Sequence, residues 1–153
     1  MIRIAAGPPA RTLREIHEQL RDDLARLRVL ADVLRRGQRG MRRPAGPGRG
    51  PELGNRAGDL KSFCERYCQA LLQHQELMAA RLFLPGPLAG RLLRGHQELA
   101  DRAGRIRRAA SALSATGLAA TEDLRQELTG LSHQLEDQLS YEEAQILPLL
   151  PED

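Results

Sequence analysis

An all-α fold, an up-down-up-down four-helix bundle forming one domain over residues 1–153, follows from three features of the sequence. Hydrophobic residues make up 41% of the chain but aromatic ones only 3%, with no Trp, so the apolar content is mostly Leu and Ala, which favours helices over sheets. Four long segments repeat their apolar residues at three- and four-residue steps, the mark of an amphipathic helix. Gly and Pro separate those segments. A chain of 153 residues is long enough for a single real core.

After Pro8 and Pro9, Thr12 or a neighbour opens a first helix that runs to about Arg36, with Leu13, Ile16, Leu20, Leu24, Leu27, Ala31 and Leu34 on one face and His17 at the edge of that face. Gly37 is expected to end it. Residues 37–58, rich in Gly, Pro and Arg, read as a flexible basic loop that builds no core and is dispensable for stability. Asp59 caps a second helix that reaches Phe83, with Leu60, Phe63 or Cys64, Tyr67, Leu71, His74, Met78 and Leu82 facing inward. Pro85-Gly86-Pro87 stops it and makes a short connection, so the next helix must turn back. The third helix spans about Leu88 to Ala115, with Leu92, His96, Leu99, Ala103, Ile106, Ala110 and Leu113 inward, and Gly117 breaks it. Thr121, followed by Glu122 and Asp123, begins the fourth, which ends near Leu147, before Pro148. Its stripe is Leu124, Leu128, Leu131, Leu135, Gln138, Glu142 and Leu149. At about 100° per residue, His133 lies on the opposite side.

Composition excludes several classes. No apolar run approaches the roughly 20 residues that cross a bilayer, and no signal peptide opens the chain, so a cytoplasmic protein without membrane contact is expected. Net charge is +3 and all but one of the 23 basic residues are Arg. The helical arginines alternate with acids at three- and four-residue spacing, as in Arg14, Glu18, Arg21 and Asp22. That pattern is a solvated helix face and argues against nucleic acid as a partner. Cys64 and Cys68, four apart on one helix, are too few for a disulfide framework or a zinc site and read as small buried residues with reduced thiols.

The four histidines fall one in each helix. Because alternate helix ends meet in such a bundle, His17, His74, His96, Gln138 and Glu142 converge at one end, on its axis. Leaving three imidazoles and a carboxylate buried without partners would cost roughly several kcal/mol, so hydrogen bonds, water or a metal must satisfy them. The convergence is read as a functional site.

Over nearly its whole length the chain resembles the hemerythrin-like (HHE cation-binding) four-helix bundles, most of all a bacterial branch. Ile16-His17 and Leu20-Arg21 match the first-helix pattern, and Tyr67-Cys68, His74 and Leu82-Phe83 match the second in outline. His96 matches the lone third-helix histidine, and Gln138-Leu139-Ser140-Tyr141-Glu142-Glu143 matches a His-x-x-Tyr-Glu-Glu run. The resemblance implies two irons bridged by carboxylates and capped by histidines. Carried over by position, His17, His74, His96 and Glu142 remain as metal ligands, whereas Met78 replaces a glutamate and Gln138 a histidine. Phe63 stands where that branch often has histidine. Thioether and amide are poor ligands for hard iron, so the site is expected to be degenerate and at most mononuclear, holding one Fe, Mn or Zn, or none.

The leading functional expectation is a core cavity, lined by Met78, Gln138, Phe63 and Tyr67, that binds and transforms a small organic molecule. Glu142, as general base, would act there with His74 and His96 by acid–base or metal-assisted chemistry. The alternatives are a non-haem iron protein handling O₂, NO or peroxide, and a non-enzymatic helical module docking an acidic partner through residues 37–58. The face assignment gives the first test. His133→Ala should change unfolding free energy by no more than about 0.5 kcal/mol, measured by urea denaturation, as is usual for a surface substitution.

Overall fold

Each amphipathic helix needs a partner to cover its stripe, and here the four cover one another. The computed structural model describes residues 9–40, 49–81 and 86–152. The helices are α1 (Ala10–Gly40), α2 (Arg49–Arg81), α3 (Gly86–Ser111) and α4 (Leu118–Gln145), followed by a 3-10 turn over Leu147–Leu149. Among the described residues the backbone of each helix lies against its two neighbours in the ring, while across the bundle α2 meets α4 through side chains. The cross-contacts fix direction. Gly37 late in α1 abuts Leu53 early in α2, Cys68 of α2 donates to the Ala103 carbonyl of α3 at 3.7 Å, and Arg102 of α3 bonds Glu127 and Gln134 of α4. Consecutive helices therefore run antiparallel, as the bundle topology requires.

The core comes in two unequal parts. The larger contains Leu20, Leu24, Leu27, Leu60, Leu71, Leu99, Ile106, Leu128 and Leu135 with their neighbours. A smaller cluster at one end joins Ala10, Leu13, Met78, Leu92, Ile146 and Leu150. The first backbone amide of α1, at Ala10, donates to the Pro151 carbonyl at 2.8 Å and ties the chain's return past the 3-10 turn to that end. His133 is exposed, as its position opposite the stripe predicts.

Several boundaries differ from the sequence reading. Gly37 does not end α1, which continues to Gly40, and α2 begins at Arg49, well before Asp59. Residues 49–58 are therefore helix, not loop, and Leu53 and Ala57 are buried in the main core. The reason is spacing: Leu53, Ala57, Leu60 and Cys64 continue the inward stripe of α2, and that burial overrides the poor propensity of Gly54 and Gly58. Pro51 sits in the first turn, where no intrahelical amide bond is lost. The two helices approach closely at Gly37, since a Cβ there would overlap the Leu53 side chain. Thr121 is not a cap; it lies inside the first turn of α4, with its hydroxyl donating to the Gly117 carbonyl at 3.3 Å. At the end of α4, Leu149 is half-buried, whereas Ile146 and Leu150 fill the end cluster. Residues 41–48 and the expected Leu82 and Phe83 lie outside the described residues.

On α2 it is Cys64 that faces fully inward, while Phe63 is half-buried with the Arg66 guanidinium 5.4 Å from its ring centroid. Burial pushes the Cys64 thiol up to about 12 and the Cys68 thiol up to about 11, so both stay as unreactive thiols at neutral pH. Tyr67 is buried, and its hydroxyl donates to the Leu20 carbonyl at 2.9 Å. Leu53→Ala should cost about 2 to 5 kcal/mol by urea unfolding, the range for emptying a packed leucine site. Excising 37–58 should lower the melting temperature sharply, because it removes Leu53 and Ala57 from the core.

Candidate metal centre

Each helix delivers its polar group through the same stripe that carries its leucines. His17 lies between Leu13 and Leu20 on α1, His74 between Leu71 and Met78 on α2, His96 between Leu92 and Leu99 on α3, and Glu142 between Gln138 and Ile146 on α4. The result is a polar layer with the main core on one side and the small end cluster on the other. All four are buried, as is Gln138 beside them, and His17 and Glu142 completely.

Glu142 is the centre of that layer. Its Oε1 accepts from His17 Nε2 at 3.1 Å and from His74 Nε2 at 2.9 Å. Its Oε2 accepts from Gln138 Nε2 at 3.0 Å. His96 Nε2 lies 3.4 Å from Oε2, where it makes no well-formed hydrogen bond. Burial alone would push the Glu142 carboxyl up, but the surrounding imidazoles of His17, His74 and His96 outweigh it and hold the group well below the ordinary carboxylate range. The His17 and His74 rings meet edge to face, with centroids 5.2 Å apart, and His96 stands 6.2 Å from His74.

Behind His17 sits a second carboxylate. His17 Nδ1 lies 2.7 Å from Glu143 Oε2, and Arg21 grips Glu143 through both Nη atoms while its Nε donates to Glu136. Burial raises Glu143, but bonds from Arg21 and then His17 leave it below its usual value. Arg21 thus pairs across to α4; it is not spent along α1 as its spacing suggests.

Gln138 fits because of the residue it faces. A Cβ on Gly95 of α3 would overlap the Gln138 carboxamide, so the glycine is what lets that side chain lie flat against the α3 backbone. Among the described residues, His74 Nδ1, His96 Nε2 and Gln138 Oε1 are buried in this layer without a hydrogen-bond partner.

One ligand atom each from His17, His74 and Glu142 lies within 4.8 Å of the others, the spread a single cation can bridge. The hemerythrin HHE cation binding domain, as a family profile, matches residues 8–150. The chain belongs to the hemerythrin HHE cation-binding family. No curated protein and no solved structure was found to match it.

The donors present in this hemerythrin-like domain suit such a cation. Imidazole nitrogen and carboxylate oxygen are the ligands that Fe, Mn and Zn prefer. The Nε2 atoms of His17 and His74 converge on the same carboxylate oxygen, and protons there hold the place a cation would take. His17, His74 and Glu142 would be the ligands, with His96 at the margin, its Nε2 already free of other partners.

Of the other expected site residues, Gln138 stands in the layer and Met78 packs in the end cluster one turn beyond His74. Phe63 and Tyr67 belong to the main core, about 16 and 10 Å from His74 along the α2 axis at about 1.5 Å per residue. They do not line one cavity with Met78. Glu143, Arg21 and Gly95 are the members that sequence reading did not assign to the site. The Glu142-Glu143 doublet, and an arginine one turn after His17, were the available signals for two of them. Gly95→Ala should destabilise the protein by about 1 to 3 kcal/mol by urea unfolding, because overpacking against Gln138 outweighs the gain in helix propensity.

Proposed function

We propose that this hemerythrin-like domain holds a single metal ion per chain on His17, His74 and Glu142. The reading rests on those three donors, brought from three helices to within 4.8 Å of one another in a fully buried setting. Two features support one ion over two. Beside the second oxygen of Glu142 stands Gln138, an amide where a second ion would need an imidazole. Met78 offers a thioether in an apolar cluster where a bridging glutamate would be needed.

His17, His74 and Glu142 bind the cation and fix its place; Gln138 orients Glu142 by its amide bond. The end cluster, with Leu13, Met78, Leu92 and Ile146 one turn beyond the four polar positions, excludes water from that side. Bound there, a cation would supply Lewis acidity and open positions for a small exogenous ligand. Small-molecule chemistry at the site therefore goes through the metal-assisted route. A carboxylate held well below its ordinary range is a weak base, which disfavours Glu142 as an unassisted general base. Among the described arginines of 37–58, Arg39 faces Glu122 and Arg56 faces Glu52, so these two are already paired within the chain. No helix among the described residues is long and apolar enough to cross a membrane.

Elemental analysis of protein purified without chelator tests the proposal. No more than one Fe, Mn or Zn per chain is expected, with His74→Ala removing it and no oxo-bridged absorption after aerobic iron loading. Met78→Glu with Gln138→His should raise the iron stoichiometry by returning a bridge and an imidazole. Two irons in the unmodified chain would overturn the mononuclear reading.

A further inference from the structure

Of the three buried histidines, His17 alone has a second acceptor placed behind its ring. Among the described residues His74 Nδ1 has no partner, and His96 is held by nothing better than a 3.4 Å approach to Glu142. His17 instead spans two carboxylates: Nε2 faces Glu142 Oε1 at 3.1 Å and Nδ1 faces Glu143 Oε2 at 2.7 Å. Glu143 is not free to swing away. Arg21 Nη1 lies 2.9 Å from its Oε2 and Nη2 donates to its Oε1 at 3.1 Å. The same guanidinium is anchored to Glu136, one oxygen from Nε at 2.9 Å and the other from Nη2 at 3.1 Å. Glu136 and Glu143 are seven residues apart on α4, hence on one face two turns apart, so one arginine fork spans both.

We infer that Glu143 is a positioning residue for the cation site: by accepting Nδ1–H of His17 it turns the Nε2 lone pair toward the metal. The inference rests on the metal-holding reading given above. A neutral imidazole carries one proton, and whichever nitrogen keeps it cannot bind a cation. An acceptor fixed behind Nδ1 keeps the remaining proton there once a cation takes the place of the one between Nε2 and Glu142, and it stops the ring from rotating. The carboxylate also raises the donor strength of Nε2 by drawing on the opposite N–H. Glu143 itself, with a side chain 32% exposed, reaches the edge of the bundle and need not touch the metal.

Zinc is the probe that tests this, with its affinity read by competition against a chromophoric chelator. Glu143→Ala should keep a stoichiometry of one zinc or less per chain while weakening affinity by about tenfold to a hundredfold, the usual effect of removing such an acceptor. Glu143→Gln should stay close to the unmodified protein, because its carboxamide oxygen can still accept from Nδ1–H. Long-range proton–nitrogen spectra of the zinc-loaded protein should show His17 with a fixed Nδ1–H, a signature lost in Glu143→Ala. An unchanged affinity in Glu143→Ala, even with a lowered melting temperature, would reduce Glu143 to a surface ion pair and overturn the inference. So would a Glu143→Gln protein as weak as Glu143→Ala. Failure of the unmodified protein to bind zinc or any other metal would instead overturn the reading of the site, and this inference with it.

Discussion

The Glu142 carboxylate has no contact with water, and a charge in that position costs several kcal/mol unless neighbours supply opposite charge and hydrogen bonds. Here the supply comes from every other helix: His17 from α1, His74 from α2 and His96 from α3, with Gln138 from its own helix one turn earlier. None of these side chains could reach Glu142 if its helix were rotated by much. The buried charge thus dictates which face each helix presents, and the leucines above and below follow. A metal ion in the same place would answer the same demand, since it too is positive and directional.

The apolar parts of the structure accommodate that layer in two places where helices approach closely. At Gly37, α1 gives room to Leu53 and so admits the Gly-rich first turns of α2 into the core. At Gly95, α3 gives room to the Gln138 carboxamide. Both are helical glycines, and each spends roughly 1 kcal/mol of helix propensity relative to alanine. In one case the return is buried hydrophobic surface; in the other it is a hydrogen bond to the central carboxylate.

Much of this could be read directly from the chain. The stripes placed His17, His74, His96, Gln138 and Glu142 inward and His133 outward, because the helical period is insensitive to errors at the ends. The start of α2 was not legible: Gly, Pro and Arg between 49 and 58 obscure the two apolar residues, Leu53 and Ala57, that make the segment helical. Spacing alone also left Phe63 and Cys64 tied, and only packing puts the thiol inside. Glu143 and Arg21 were hidden for a different reason. Both sit at the edge of their stripes, where sequence spacing suggests solvent, and their roles come from contacts between helices far apart in the chain. Gly95 gave no sign, since a glycine acts here through the side chain that it fails to exclude.

The layered core also bears on which bundle this sequence can form. Stripes made almost wholly of leucine and alanine would pack nearly as well if one helix slid past another by a turn. The single polar level removes that ambiguity. Shift α2 by one turn and Met78 faces Glu142, while His74 is driven among leucines with neither nitrogen satisfied. Every such misalignment leaves a buried charge or an imidazole unmatched, which disfavours it far more than a leucine repacked against a different leucine. The site residues therefore act as a key for helix alignment whether or not a cation is present.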